Sequence, residues 1–231
     1  YGVILKSLGK SEEAALSYQK AIEIKSDFAE AHSNLGNLLT DLGKLKEAEL
    51  SYRKAIKLKP DYAEVYSNLG IILRDVGKLK EAELCTRKAI ELKPDFAEAH
   101  YNLGNILRDL GKLNEAKLSF HKAIELKPNF AEAHLNLGNI LKDVGELEEA
   151  ELFTRKAIEL RSDLPEAHLN LGLILKDLDK LKEAELFTRK AIKINPEYTM
   201  AIWNLYGLSN NIKEAEERIK QCLEIDINHL E

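Results

Sequence analysis

Apolar residues recur along the chain in paired stretches, each with the spacing of one face of a helix. In residues 97–130 the first stretch carries its apolar or small side chains at Ala99, Leu103, Gly104, Ile106, Leu107 and Leu110. The second stretch carries them at Leu113, Ala116, Phe120, Ala123, Ile124 and Leu126. Gly111 lies between the stretches and favours the left-handed turn that ends a helix. Pro128 follows the second stretch, and the residue before a proline avoids helical backbone angles. The pattern predicts two antiparallel helices.

The same pair of stretches returns at a fixed interval of 34 residues. The interval is marked by Gly36, Gly70, Gly104, Gly138 and Gly172. A period of this length is typical of solenoids, in which each helix pair packs only on its neighbours. We therefore predict an all-α solenoid of antiparallel helix pairs, with about thirteen helices and no strands. The single array comprises a partial repeat (1–28), five full repeats (29–62, 63–96, 97–130, 131–164 and 165–198) and a shortened last repeat (199–231).

Composition and charge narrow the classes of function. The chain has 39 acidic against 34 basic residues and a net charge of −5, whereas nucleic-acid-binding proteins carry a basic face. No apolar run approaches the ~18 residues that a membrane helix needs. Cys85 and Cys222 lie about four repeats apart, too far for a disulfide within a rigid array. We therefore predict no nucleic-acid or membrane partner, reduced thiols and a cytoplasmic location.

No group of residues has the pattern of a catalytic or metal site. Positions within a repeat are numbered so that the glycine of the Asn-Leu-Gly triplet is position 8. Four histidines then fall at position 4: His32, His100, His134 and His168. One histidine per repeat, on helices packed ~8–10 Å apart, is too sparse to bind a metal ion, so we expect part-buried side chains. The sequence contains no glycine-rich phosphate-binding loop, no HExxH motif of zinc proteases and no GxSxG nucleophile elbow of hydrolases. The sequence predicts a protein that is not an enzyme and needs no cofactor or metal.

One polar stripe stands out on the first helix of each repeat, where positions 2, 6, 9 and 13 lie opposite the apolar set. Position 6 is asparagine throughout: Asn34, Asn68, Asn102, Asn136, Asn170 and Asn204. Position 9 adds Asn37, Asn105 and Asn139 but is Ile71 or Leu173 in two repeats. Asparagine is unfavourable inside a helix because its amide competes for backbone hydrogen bonds. Its recurrence indicates that the amide is used, either to bind a ligand or to bond a neighbouring repeat and hold the spacing.

The residues beside these asparagines raise the same question. Position 13 is aspartate in all five full repeats, at Asp41, Asp75, Asp109, Asp143 and Asp177, where the helix dipole disfavours an anion. Asp75, Asp109 and Asp143 are candidates for a ligand site. Alternatively, the aspartates cap the second helix or pair with the lysines at position 16, which are Lys44, Lys78, Lys112 and Lys180. Position 5 varies, and we predict that Tyr101, Leu135, Leu169 and Trp203 confer specificity on a peptide-binding surface.

The whole chain resembles the tetratricopeptide repeat family. The resemblance depends on positions 7, 8, 20, 27 and 32, which in residues 97–130 are Leu103, Gly104, Ala116, Ala123 and Pro128. The sequence departs from the family where histidine replaces the early tryptophan, where Ser26 and Ser162 replace proline, and where Asp179 replaces a turn glycine. The resemblance implies a right-handed superhelix whose first helices line the concave side.

Within that family, the motif AEAHxNLGN and the position-6 asparagines resemble the repeat region of O-linked N-acetylglucosamine transferases. This resemblance implies a groove whose asparagines hold peptide main chain. We predict an interaction scaffold that binds an extended peptide or protein partner. Two alternatives stay open: a self-associating structural module, and the substrate-recruiting arm of a larger transferase. Apolar residues at both ends, such as Val3 and Ile225, predict homo-oligomers through uncapped ends.

Overall fold

The computed structural model describes residues 1–208. These residues form thirteen helices and no strand, which confirms the all-α prediction. The chain divides into two compact units, unit 1 (Tyr1–Leu126) and unit 2 (Lys127–Glu231). The shortening of the last repeat, Cys222 and the apolar residues predicted for the carboxyl end lie outside the described residues. Within residues 1–208, no helix combines the length and the apolar character needed to span a membrane.

Unit 1 contains four successive helix pairs. Its helices are α1 (Gly2–Ser7), α2 (Ser11–Ile24), α3 (Ala29–Asp41), α4 (Leu45–Leu58), α5 (Ala63–Asp75), α6 (Leu79–Leu92), α7 (Ala97–Asp109) and α8 (Leu113–Leu126). In each full repeat the first helix has 13 residues and the second has 14. The turns have three or four residues, as at 42–44 and 59–62. Each first helix packs on its own second helix, and α2, α4 and α6 each pack on the next first helix.

Unit 2 repeats this arrangement. Its described helices are α9 (Ala131–Asp143), α10 (Leu147–Leu160), α11 (Pro165–Asp177), α12 (Leu181–Ile194) and α13 (Thr199–Gly207). Helix α11 packs on α10, α12 and α13, so it has neighbours on both sides. The packing follows from the sequence, since a single helix pair cannot bury its apolar faces alone.

The turn inside each repeat requires a left-handed backbone. Gly111 has φ +73°, and the glycines at the same position of other repeats have similar angles. Asp179 occupies this position in the repeat 165–198 and adopts φ +60°, so the turn is kept without glycine. The predicted stop is confirmed at both kinds of residue, although an L-residue other than glycine is strained there.

Close helix contact within each pair depends on the triplet glycine. A Cβ atom on Gly138 would lie 2.3 Å from Oγ1 of Thr154 and 3.2 Å from the carbonyl oxygen of Ala150. The absence of a side chain therefore lets α9 lie directly against α10. This contact fixes the rotation of each first helix and with it the direction of the polar stripe.

Candidate functional site

The asparagines at positions 6 and 9 form the candidate site, which we name the amide face. In unit 1 it comprises Asn34, Asn37, Asn68, Asn102 and Asn105 on α3, α5 and α7. In unit 2 it comprises Asn136, Asn139, Asn170 and Asn204 on α9, α11 and α13. Helical spacing places these positions on one side of each first helix, away from the apolar set.

The asparagines of neighbouring repeats bond to one another. In unit 1, Nδ2 of Asn68 donates a hydrogen bond of 3.0 Å to Oδ1 of Asn37. The same oxygen accepts a bond of 2.7 Å from the hydroxyl of Tyr52, which lies 3.3 Å from Oγ1 of Thr40. Burial raises the pKa of Tyr52, so the hydroxyl stays protonated and donates. Both lone-pair positions of the Asn37 oxygen are therefore used, while Nδ2 of Asn37 and Oδ1 of Asn68 keep their capacity for a ligand.

Unit 2 contains an equivalent pair. Nδ2 of Asn170 donates a hydrogen bond of 2.7 Å to Oδ1 of Asn139. The bond again uses the donor of position 6 and the acceptor of position 9. In both units the pair leaves two groups for a ligand, which are Nδ2 of the position-9 asparagine and Oδ1 of the position-6 asparagine in the next repeat.

The arrangement changes where position 9 is apolar. After Ile71, Nδ2 of Asn102 donates to Oγ of Ser67 at 3.0 Å. After Leu173, Nδ2 of Asn204 donates to Oγ1 of Thr188 at 2.8 Å. The position-6 amide therefore bonds the preceding repeat in these cases too, with a different acceptor. The sequence did not indicate these acceptors, because Ser67 and Thr188 belong to positions that vary.

Exposure separates the predicted site residues into two groups. Asn34, Asn37, Asn68, Asn102, Asn136, Asn139 and Asn170 are half-buried, with part of the side chain at the surface. Asn105 and Asn204 are buried, at 4% and 8% exposure. Most of the ligand-binding capacity therefore lies with the half-buried residues.

The position-5 residues differ from one another in accessibility. Trp203 is 67% exposed and meets Tyr206 edge-on at 6.0 Å between ring centroids. Tyr101 is half-buried against Phe120, at 5.8 Å. Leu135 is half-buried, but Leu169 is only 1% exposed and packs with Leu205 in a core cluster. Trp203 and Tyr101 can therefore contact a ligand, whereas Leu169 presents almost no surface, because α13 covers it.

A cavity of about 290 Å³ opens at the amide face of unit 1. Its walls are formed by Lys6, Asn37, Thr40, Asp41, Tyr52, Asn68, Ile71 and Ile72. The cavity combines both amides of the Asn37–Asn68 pair with the apolar side chain of Ile71. It can accept a short length of polypeptide main chain together with one small apolar group.

Two of the aspartates at position 13, Asp41 and Asp109, pair with bases of the preceding repeat. Asp41 lies 2.7 Å from Nζ of Lys6, and Asp109 lies 3.1 Å from Nε of Arg74. Asp75 lies 3.8 Å from its neighbour Arg74. Lys6 and Arg74 both occupy position 12, and each reaches an aspartate of the next repeat, while Arg74 also lies near the aspartate of its own repeat. Asp143 and Asp177 are exposed.

The suggested pairing of these aspartates with position-16 lysines is wrong for three lysines. Nζ of Lys78 lies 3.0 Å from Glu49, that of Lys112 lies 2.8 Å from Glu83, and that of Lys180 lies 2.7 Å from Glu151. Each lysine lies just before a second helix and reaches the second helix of the preceding repeat. The second helices α4, α6, α10 and α12 also have no side-chain cap.

The glutamates at position 2 are also neutralised locally. Glu64 lies 3.1 Å from Nζ of Lys93, and Glu132 pairs with Arg161. A backbone hydrogen bond and the bond from Lys93 hold the pKa of Glu64 below its usual value, against the effect of burial. The charges of Glu64 and Glu132 are therefore offset by cations of their own repeats.

Three of the four position-4 histidines, His100, His134 and His168, each bond a separate main-chain carbonyl. Nε2 of His100 donates to the Pro94 oxygen at 2.9 Å, and Nε2 of His134 donates to the Pro128 oxygen at 2.9 Å. His168 does the same to Ser162 at 2.8 Å. His100 is half-buried, as predicted, whereas His134 and His168 are almost fully buried, at 5% exposure. Within residues 1–208, no three potential metal ligands converge on one point.

The comparisons with known proteins agree with this architecture. A model of the TPR repeat matches residues 2–39, 36–77 and 104–145. Models of the tetratricopeptide repeat match residues 63–96, 85–117, 131–164 and 165–198. No curated protein sequence matches the chain significantly.

Solved structures share the fold. YrrB, described as a TPR protein with an unusual peptide-binding site, is 28% identical over 82% of this chain and 97% of its own, with a TM-score of 0.67. MamA is 27% identical over 70% of this chain and 94% of its own, with a TM-score of 0.64. PilF of Pseudomonas aeruginosa, at 23% identity and a TM-score of 0.78, shows the likeness of fold alone. With its 34-residue helix pairs and the family models that match them, the chain belongs to the tetratricopeptide repeat family.

Proposed function

We propose that this protein is a non-catalytic scaffold whose amide face binds an extended segment of a protein partner through the main chain of that segment. One observation carries the proposal. The bond between Asn68 and Asn37 uses one donor and one acceptor, and leaves Nδ2 of Asn37 and Oδ1 of Asn68 at a surface cavity. The description of YrrB as having a peptide-binding site supports the same class of ligand.

The two remaining groups match the chemistry of a peptide. An extended chain presents a C=O and an N–H for each residue, which an amide nitrogen and an amide oxygen bind respectively. Asn139 and Asn170 supply the same two groups in unit 2. Each hydrogen bond contributes a net ~0.5–1.5 kcal/mol, so affinity comes from several asparagines together.

Sequence preference then comes from neighbouring side chains. The apolar Ile71 lines the cavity in unit 1, and Tyr101 and Trp203 offer aromatic surface beside the asparagines. We propose that these residues select apolar side chains of the ligand, while the amides bind any sequence. The pairing of Asp41, Asp109 and Glu64 with cations weakens the preference of this face between acidic and basic segments.

The variant N139L tests the proposal, because it introduces at position 9 the leucine that another repeat already has there. Leu173 occupies the same position one repeat later. In both repeats a threonine, Thr154 or Thr188, lies against the triplet glycine that precedes this position. In the variant, Asn170 is expected to donate to Thr154, as Asn204 donates to Thr188. The variant therefore loses the ligand-binding nitrogen but keeps a bond between repeats.

The ligand for this test is a peptide selected on the intact protein from a random-sequence display library. We expect N139L to bind that peptide about two- to tenfold more weakly, at an unchanged melting temperature. Replacing single amide links of the peptide by esters removes main-chain N–H donors and should weaken binding at alternate positions only. Full affinity for both the variant and every ester analogue would contradict binding through the main chain.

A further inference from the structure

The environment of Phe187 shows how this fold holds an aromatic ring. The ring stacks on His168, with 6.0 Å between centroids and 21° between planes. The guanidinium carbon of Arg155 lies 5.2 Å from the ring centroid, and Nζ of Lys190 lies 4.7 Å from it. The π-electron face of the ring is negative and attracts both cations. Phe187 is thus held between an imidazole and two positive charges.

Unit 1 contains the same frame without the ring. His100, Arg87 and Lys122 stand at the repeat positions of His168, Arg155 and Lys190, and Ser119 replaces Phe187. A cavity of about 470 Å³ lies among them. It is lined by Arg87, Ile90, Glu91, His100, Leu103, Leu118, Ser119 and Lys122.

A second cavity occupies the equivalent place two repeats earlier. It measures about 420 Å³ and is lined by Gln19, Ile22, Glu23, His32, Leu35, Leu50, Ser51 and Lys54. Ser51 again stands where Phe187 stands in unit 2. Gln19 replaces the arginine, however, so this cavity has one of the two cations. The two cavities therefore differ in a single charged residue of the frame.

From these equivalences we infer that the His100 cavity is a receptor for an aromatic side chain of a protein partner. The ring stacks on His100 between Arg87 and Lys122, as the ring of Phe187 stacks on His168 between Arg155 and Lys190 in unit 2. Electrostatic complementarity between the ring face and the two cations favours an aromatic over an aliphatic side chain. The His32 cavity is a weaker receptor of the same kind.

The ion pairs of Arg87 do not prevent this role. Arg87 bonds Glu83 and Glu115, at 2.8 and 2.7 Å. Arg155 makes the same two pairs, with Glu151 and Glu183, while it also lies over the Phe187 ring. The pairs hold the guanidinium in place, so little side-chain entropy is lost when a ring binds.

The exposed leucines beside the cavities add an apolar rim. Leu118 is 68% exposed and Leu50 is 70% exposed, one beside each cavity. With helices packed ~8–10 Å apart, two repeats separate the cavities by on the order of 20 Å. An extended partner segment covers that distance with about six residues. The receptor shares no residue with the amide face, so it is independent of the function proposed above.

The experiment uses the whole chain and N-acetyl-phenylalanine amide as the probe. Binding is followed by NMR through the signals of the His100 ring and the Leu103 and Leu118 methyl groups. We expect saturable shifts at these groups. The cyclohexylalanine analogue has nearly the same shape but no π electrons, and should bind about two- to fivefold more weakly. Equal binding of the two probes would overturn the role of the cations.

Two variants test the location of the site. Each introduces the residue that another repeat has at the same position. S119F places in unit 1 the residue that unit 2 has at this position, and should abolish the shifts around His100 while the protein stays folded. R87Q copies Gln19 and should reduce the affinity of the His100 cavity to that of the His32 cavity. If S119F is folded and still gives the same shifts, or if R87Q leaves the affinity unchanged, the inference is wrong.

A third variant tests whether the frame alone creates the site. F187S removes the ring from unit 2 and leaves His168, Arg155 and Lys190 in place. We expect the probe to bind beside His168 in this variant and not in the parent protein. A folded F187S that gives no shift at His168 would show that the frame does not select a ring.

Discussion

Asn204 donates a hydrogen bond of 2.8 Å to Oγ1 of Thr188, in a repeat whose position 9 is Leu173. One repeat earlier, Asn170 instead donates to Asn139, and Oγ1 of Thr154 is buried without a hydrogen-bond partner. The fold therefore has two ways to satisfy the same amide. The choice depends on whether position 9 provides an acceptor.

This relationship predicts unequal effects on stability for two substitutions at one contact. N139L should leave the free energy of unfolding nearly unchanged, because Asn170 gains Thr154 as its acceptor and Thr154 gains a partner. N170A removes the donor itself and should cost about 1 kcal/mol. Urea denaturation of both variants measures the difference. A large loss in N139L with little loss in N170A would contradict the alternative bond.

The turn at Asp179 predicts a stabilising substitution. Asp179 has φ +60°, whereas the equivalent positions of the other described repeats are glycines. D179G should relieve the strain and raise the stability by about 0.5–1 kcal/mol. Thermal unfolding followed by circular dichroism gives the change in melting temperature. The matched reverse variant G145D should lose a similar amount, and a rise for G145D would refute the argument.

The triplet glycine predicts a steric coupling between two helices. In G138A the new methyl group would lie 2.3 Å from Oγ1 of Thr154, and we expect a loss of about 1–3 kcal/mol. T154A removes that oxygen, so the double variant G138A/T154A should lose less than the sum of the single variants. Chemical denaturation of the four proteins in this cycle measures the coupling. Strictly additive losses would show that the contact with Thr154 is not the cause.

Stability should fall with acidification in a window set by histidine. Burial lowers the pKa of His134 and His168, while their bonds to the Pro128 and Ser162 carbonyls oppose the shift. The unfolded chain therefore binds protons more readily, near its ordinary pKa of ~6.5. Stability is complete above that pH and declines as the pH falls below it.

Melting temperatures between pH 8 and pH 5 test this expectation, and the double variant H134Q/H168Q supplies the comparison. It should be less stable at pH 8 but show a flatter decline, because two titrating groups are gone. The paired glutamates respond at lower pH. Bonds from Lys112 and Arg87 outweigh burial and lower the pKa of Glu83, so its contribution is lost only below about pH 4.5. An unchanged slope in the double variant would exclude the histidines as its source.

The sequence by itself determined the helices, their order and their packing partners. The helical spacing of apolar residues and the glycine at most turns are visible within a single repeat, and the 34-residue interval shows where the next repeat begins. The end of α3 at Asp41 and the start of α4 at Leu45 agree with this spacing. The small residues in each repeat also indicate where two helices approach closely, as α9 and α10 do at Gly138. Because these features recur in each repeat, the structure of one repeat predicts that of the next.

Only the tertiary structure decided which polar groups meet. Asn68 reaches Asn37, but Asn102 reaches Ser67, because Ile71 offers no acceptor. The partner of each side chain lies about 30 residues away and depends on the rotation between adjacent repeats, which no local pattern encodes. The ring-sized cavity beside His100 has the same origin. A serine at position 119 is unremarkable in the sequence, and becomes a site only because Arg87 and Lys122 of adjacent repeats surround the space where Phe187 stands in unit 2.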